Sequence, residues 1–197
     1  MPLGAFKAAL MGTAGVSTAD VVLLSTQTAS SSATISFTSD ITSTYPMYIF
    51  RFYNIHPVAH ANFTFNGSTD SGSNYNVTKT TTVTAAYHAE DDTASGFYYV
   101  VSNDLAQSTA FHPLAGAVYT DNDASMAGEL HLFNPASTTY VKHFYSSTQR
   151  MDWSDDKLYT NQYLTGGYLN TTSAIDAIQF KMASGNFDGK IKMWGVK

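Results

Sequence analysis

The sequence predicts an all-β protein: a single jelly-roll-like β-sandwich of about eight to ten strands over residues 21–197, with a short N-terminal arm over residues 1–20. Three observations carry this. Apolar residues recur with period two in run after run. Clusters of Ser, Thr, Asn and Gly separate those runs at the spacing of short strands. Helical periodicity is almost absent. With 44% hydrophobic and 14% aromatic residues, the 197-residue chain can bury one sizeable core, to which 13 Tyr and 12 Phe supply much of the bulk. Neither an internal repeat nor a Pro/Gly linker divides it.

Composition also narrows the partners. Ten Lys plus Arg stand against 15 Asp plus Glu, a formal net charge of −5, and no basic run occurs. Affinity for a phosphate backbone grows with the number of cations presented, so nucleic acid is a poor partner, as is an anionic membrane surface. No apolar run approaches the roughly 20 residues of a membrane-spanning helix, so membrane insertion is not expected. The absence of cysteine removes thiolate chemistry and Cys-based metal sites. Met1 to Ala19 is mildly apolar, but Lys7 interrupts it and no charged region precedes it, so it is not read as a secretory signal.

In order, Leu3 to Gly12 can form one or two helical turns with Phe6 and Leu10 on one side. Such a segment needs a surface to dock on. Val21 to Leu24 and Ala33 to Thr38 read as strands, and Tyr45-Pro46 as a turn. Tyr48 to Ile55 is apolar on both faces apart from Arg51 and Asn54, the pattern of a central strand. Arg51, sharing a face with Met47, Ile49, Tyr53 and Ile55, is expected to have a carboxylate or carbonyl partner or to emerge at an edge. Ala61, Phe63 and Phe65 alternate, Val77 to Tyr87 suits one long or two short strands, and Phe97 to Val101 is another. Ser102 to Ser125 has weak periodicity and reads as a long irregular excursion. Glu129 to Tyr145 reads as a hairpin turning at Asn134-Pro135, Arg150 to Lys157 as a polar loop, and Tyr159 to Leu169 as a strand broken at Gly166-Gly167. Ile178, Phe180 and Met182, then Ile191 and Met193, flank the turn 185–189 and predict a closing β-hairpin. Trp194 and Val196 point away from that apolar face, so they need a cover, either the N-terminal arm or a neighbouring subunit.

Chemistry-bearing motifs are weak. His56 and His60 have the spacing of a helical metal clamp, but Pro57 and the strand pattern oppose a helix. His131 and His143, on the two arms of the internal hairpin, read as ordinary packing or surface residues. Asp121, Asp123 and Glu129 offer oxygen ligands without the glycine and spacing of a calcium loop. No nucleophile elbow occurs. Four sequons, at Asn62, Asn66, Asn76 and Asn170, read as turn and strand chemistry. Neither a metal nor a cofactor is expected, and enzymatic activity is not. The aromatics of irregular segments, Tyr98, Tyr99, Tyr119, Trp153, Tyr159 and Tyr163, are the candidates for contacting a sugar face or a protein, with core filling as their alternative role.

Residues 3–15, Gly128 to Phe144 and Ser184 to Val196 together resemble virion-associated proteins of tailed, mostly marine, bacteriophages. Those motifs are turns and strand ends, so the resemblance implies a fold and a setting, a jelly-roll-like sandwich displayed on a phage particle, and no catalytic residue. It implies contact with other virion proteins and a homo-oligomer, a trimer above all for a tail-fibre or tail-tip domain that meets a host glycan or protein. A capsid decoration (cement) protein is the alternative, with Phe6, Leu10, Trp194 and Val196 as assembly contacts. A glycan-degrading virion enzyme is a weaker one.

Overall fold

A computed structural model describes residues 20–197, which form twelve strands and one short 3-10 turn, Val101–Asn103. All strand pairing is antiparallel and falls into two sheets. The larger contains β1 (Val21–Ser32), β3 (Met47–Pro57), β5 (Lys79–Ala89), β6 (Ser95–Tyr99), β8 (Met126–Phe133), β9 (Lys142–Ser154), β10 (Lys157–Leu169) and β12 (Phe187–Val196), in the order β1-β12-β3-β8-β9-β10-β5-β6. The smaller contains β2 (Ile35–Phe37), β4 (Ala61–Ser68), β7 (His112–Val118) and β11 (Ala177–Met182), in the order β2-β11-β4-β7. The all-β expectation holds, with more strands than the eight to ten expected. Phe6 and Leu10 of the predicted arm lie outside the described residues.

Alternation within each strand turns one apolar row toward the opposite sheet. Tyr48, Phe50 and Phe52 of β3, Ile191 and Met193 of β12 and Leu130 and Leu132 of β8 are buried in one cluster with Phe63 and Phe65 of β4 and Ile178, Phe180 and Met182 of β11. Phe180 is its hub, with ring centroids 5.2 Å from Phe52, 5.4 Å from Phe50 and 5.9 Å from Phe63. Tyr48, wholly buried, donates its phenol to Thr42 O at 2.9 Å and accepts Thr42 N at 2.8 Å. On β12, a Cβ built on Gly195 would lie 2.5 Å from the Tyr45 ring. Gly195→Ala is therefore expected to destabilise by about 1–3 kcal/mol through overpacking, read from the denaturant midpoint; an unchanged midpoint would show that Tyr45 swings away freely.

Five expectations are corrected. The closing hairpin does not exist: β11 pairs with β2 and β4, whereas β12 pairs with β1 and β3. Their apolar rows face each other across the core instead of lying side by side, an arrangement with the same period-two signature. Ser102 to Ser125 is not wholly irregular, since it contains β7, whose Leu114, Ala115 and Gly116 are all buried and so show no alternation. The polar loop at Arg150 to Lys157 is the end of a long hairpin, turning at Asp155 and Asp156 with φ of 49° and 58°. Gly166-Gly167 does not break β10. In β3 the register slips between Phe52 and Ile55, Asn54 has φ of 48°, and Ile55 turns inward to full burial instead of sharing the face of Arg51. Arg51 does have its carboxylate partner, Glu129, at 3.1 Å, and the hairpin turning at Asn134-Pro135 is present as β8 and β9.

Candidate functional site

In the larger sheet β10, β5 and β6 follow beyond β9, and Phe144 of β9 and Leu169 of β10 still belong to the common core. Strand β7, at the edge of the smaller sheet, meets β9 where Thr148 Oγ1 donates to Leu114 O at 2.6 Å and Arg150 Nη1 donates to Ala117 O. Past this contact the inner face opens as a cleft of about 330 Å³ lined by Tyr87, Tyr98, Asp152, Asp155, Tyr159 and Asn161, with Ala94 and Ser154. Strand register assembles it. Asp152 lies opposite Tyr159, and Asn161 lies between Arg150 on one side and Tyr87 on the other.

Its walls are tyrosines. Tyr87 meets Tyr98 at 5.9 Å and 67° and Tyr159 at 5.8 Å and 75°, both edge-to-face. Gly96, opposite Tyr87 on β6, makes room for this ring, because a Cβ there would lie 2.9 Å from it. On the floor, Asn161 is only 4% exposed and its Oδ1 has no hydrogen-bond partner among the described residues. An unpaired buried polar atom costs about 1–3 kcal/mol, a cost that the surrounding packing must offset. Deeper in, Tyr163 is 5% exposed, and Arg150 holds its guanidinium 5.4 Å from that ring while pairing with Asp152 at 2.7 Å. Burial raises the Tyr163 phenol above its ordinary pKa, so it stays a neutral donor.

A second aromatic group adjoins the first through Asp152. Trp153 stacks on Tyr119 at 5.8 Å and 15°, His60 stands edge-on to Tyr119 at 6.4 Å, and His60 Nε2 lies 3.6 Å from Asp152. Five of the six candidate aromatics thus converge at one end of the molecule. Tyr99 does not: alternation along β6 places it on the opposite face from Tyr98. Tyr163 fills the interior behind the cleft more than it lines it. Tyr87, Asn161, Asp152 and Asp155 were not among the candidates. The alternation Tyr159, Asn161, Tyr163 was visible, but nothing in the sequence set Tyr87 beside it.

The remaining candidates lie elsewhere. Trp194 and Val196 do sit on the outer face of the larger sheet, Trp194 between Leu23 and Ile49 and Val196 between Val21 and Met47. Phe133 and Tyr145 continue this apolar band, Val21 and Leu23 are nearly half exposed, and Trp194 Nε1 is buried without a partner. His56 Nδ1 donates to Ala124 O at 2.7 Å, His131 stacks on Tyr145 at 4.4 Å, and His143 lies against Tyr168. Glu129 is held by Arg51 and His131 instead of joining Asp121 and Asp123, and no three metal-ligating side chains cluster among the described residues. A larger depression of about 860 Å³ at the other end, lined by Tyr45, Phe133, Tyr140 and His143 among others, contains none of the unpartnered buried polar atoms. Comparison with known protein families, curated proteins and solved structures yields no match.

Proposed function

We propose that this chain is a jelly-roll domain of a tailed-phage virion, displayed on a tail fibre or tail tip, that attaches to a host surface glycan through the cleft between the β5–β6 and β9–β10 turns. Strand pairing supports the jelly-roll reading. β1 with β12, β2 with β11, β3 with β8 and β4 with β7 pair in nested order, the first strand with the last and the middle two with each other, as in a long hairpin rolled into a sandwich. The hairpins β5-β6 and β9-β10 are then insertions, the first between β4 and β7 and the second between β8 and β11, and build the part of the larger sheet that holds the cleft. The observation that carries the attachment role is the convergence of Tyr87, Tyr98 and Tyr159 around one cleft with Asn161 and Asp152, since amphipathic rings with a few fixed polar groups suit a sugar. The setting on a phage rests on the sequence resemblance.

The role is one of binding: Asp152 of the cleft is already engaged by Arg150 at 2.7 Å, and the walls are rings suited to stacking on a sugar. Capsid decoration is the second reading, favoured by the outer apolar band around Trp194, which a neighbouring subunit would cover. Fluorescently labelled protein is expected to decorate host bacteria, and Tyr98→Ala with Tyr159→Ala to reduce that binding at least ten-fold. Undiminished binding by the double variant would sink the cleft, and labelling of the whole head lattice in an imaged particle would favour decoration instead.

A further inference from the structure

We propose that the cleft takes a ligand group bearing positive charge, a primary or alkylated ammonium such as that of an amino sugar or a headgroup. This rests on the cleft being the ligand site. Its lining carries two carboxylates, Asp152 and Asp155, which only accept, and no cationic side chain, while the Asn161 amide, the Ser154 hydroxyl and the tyrosine phenols can donate as well as accept. Three tyrosine rings in edge-to-face contact line the cleft, and the face of each ring carries the negative end of its quadrupole. An ammonium against such rings is attracted electrostatically, more strongly as it is desolvated.

The surroundings carry the same sign. The β5–β6 turn supplies Glu90, Asp91 and Asp92, and the β9–β10 hairpin supplies Asp152, Asp155 and Asp156. Against these six carboxylates, residues 90–94 and 150–157 bring two cations, and both are engaged. Arg150 is nearly buried and is used by Asp152, Ala117 O and the Tyr163 ring. Lys157 ties the two turns together, 3.2 Å from Asp91 and bonded to Thr93. His60 and His88 lie beside Asp152 and Asp92 and add charge only when protonated. A uronate, sialate or phosphate would enter a field of its own sign, whereas an ammonium supplies both the charge and the N–H donors that the acceptors lack.

Isothermal titration of the full chain with chitosan oligosaccharides and with fully acetylated chitin oligosaccharides of equal length tests this, because the two differ in the charge of the amine. Chitosan oligomers are expected to bind at least ten-fold more tightly, and the affinity is expected to fall as salt is raised. Asp155→Asn should lose at least five-fold, while Asp40→Asn, an acidic position outside the cleft, should keep the wild-type affinity. Free choline or ethanolamine competing with the oligomer would mark a headgroup as the source, and failure to compete an amino sugar; either supports the ammonium. Equal affinity for the acetylated oligomers would overturn the charge inference while leaving a glycan site intact. Equal losses in Asp155→Asn and Asp40→Asn would also overturn it, as binding to bulk negative charge. If neither oligomer binds while Tyr98→Ala and Tyr159→Ala still abolish attachment to cells, the ammonium is rejected and the cleft stands.

Discussion

Phe180→Ala is expected to cost about 3–5 kcal/mol and, for a chain of this size, to lower the thermal midpoint by roughly 6–20 °C. Phe180 lies fully buried on β11, and its ring meets Phe37, Phe63 and Phe65 on its own sheet and Phe50 and Phe52 across the core. Removing it deletes one partner from each of these contacts at the point where the sheets face one another. The β-strand backbone on either side is pinned by pairing with both β2 and β4, so the surroundings can relax only partly. Phe180→Leu should lose much less, because it retains most of the buried volume. A loss below about 1 kcal/mol for alanine would mean that the aromatic cluster does not hold the sheets together.

That cluster also shows what a single sequence can and cannot specify here. Period two assigns Phe180 and Met182, or Ile191 and Met193, to a buried face, and the structure agrees. It is silent on which strand lies alongside, so two strands joined by a short turn looked like a hairpin although they belong to opposite sheets. β7 was hidden because its register with β4 slips twice, between Asn62 and Phe63 and between Phe63 and Thr64, which erases alternation. The Asp155-Asp156 turn was hidden because positive φ there falls on aspartates instead of glycines. The cleft was legible only in part, for the same reason as the hairpin. Tyr98, Trp153 and Tyr159 could be singled out by type, whereas Asn161 acquires meaning only from the register that sets Tyr87 beside it, 74 residues earlier in the chain.

Stability is expected to climb with pH in two separable steps, the upper one led by Lys79 and the lower one by His112. Lys79 and Lys142 are both wholly buried, and neither makes an ion pair among the described residues; Lys79 Nζ donates to Ala110 O at 2.7 Å and Lys142 Nζ to Thr171 O at 2.9 Å. Burial lowers both amines, and lowers Lys79 to about 7. Between that pH and the ordinary lysine value the unfolded chain binds a proton that the native chain does not, so raising the pH stabilises the fold, by at most about 1.4 kcal/mol per pH unit for one group. Above pH 10 the tyrosines reverse the trend, because the unfolded chain loses phenolic protons before Tyr163, whose pKa is raised by burial, does. Beside Lys79, His112 is lowered to about 3 by its own burial and by the neighbouring ammonium, and its Nε2 is unpartnered. It stays neutral in the fold while the unfolded chain titrates at the usual histidine value, so its contribution is lost as pH falls from about 6.5 toward 3. Acidic groups fall in that lower window too: Asp70, Asp91 and Glu129, all lowered in the fold, also lose their stabilisation on acidification. Variants separate these contributions. Lys79→Met should raise the urea midpoint at pH 7, because a hydrophobe of similar length replaces an unpaired buried amine, and should flatten the rise between pH 7 and 9.5. His112→Gln should flatten the lower step while leaving the upper one in place. An upper slope that persists in Lys79→Met would assign it to Lys142 and refute Lys79 as its source.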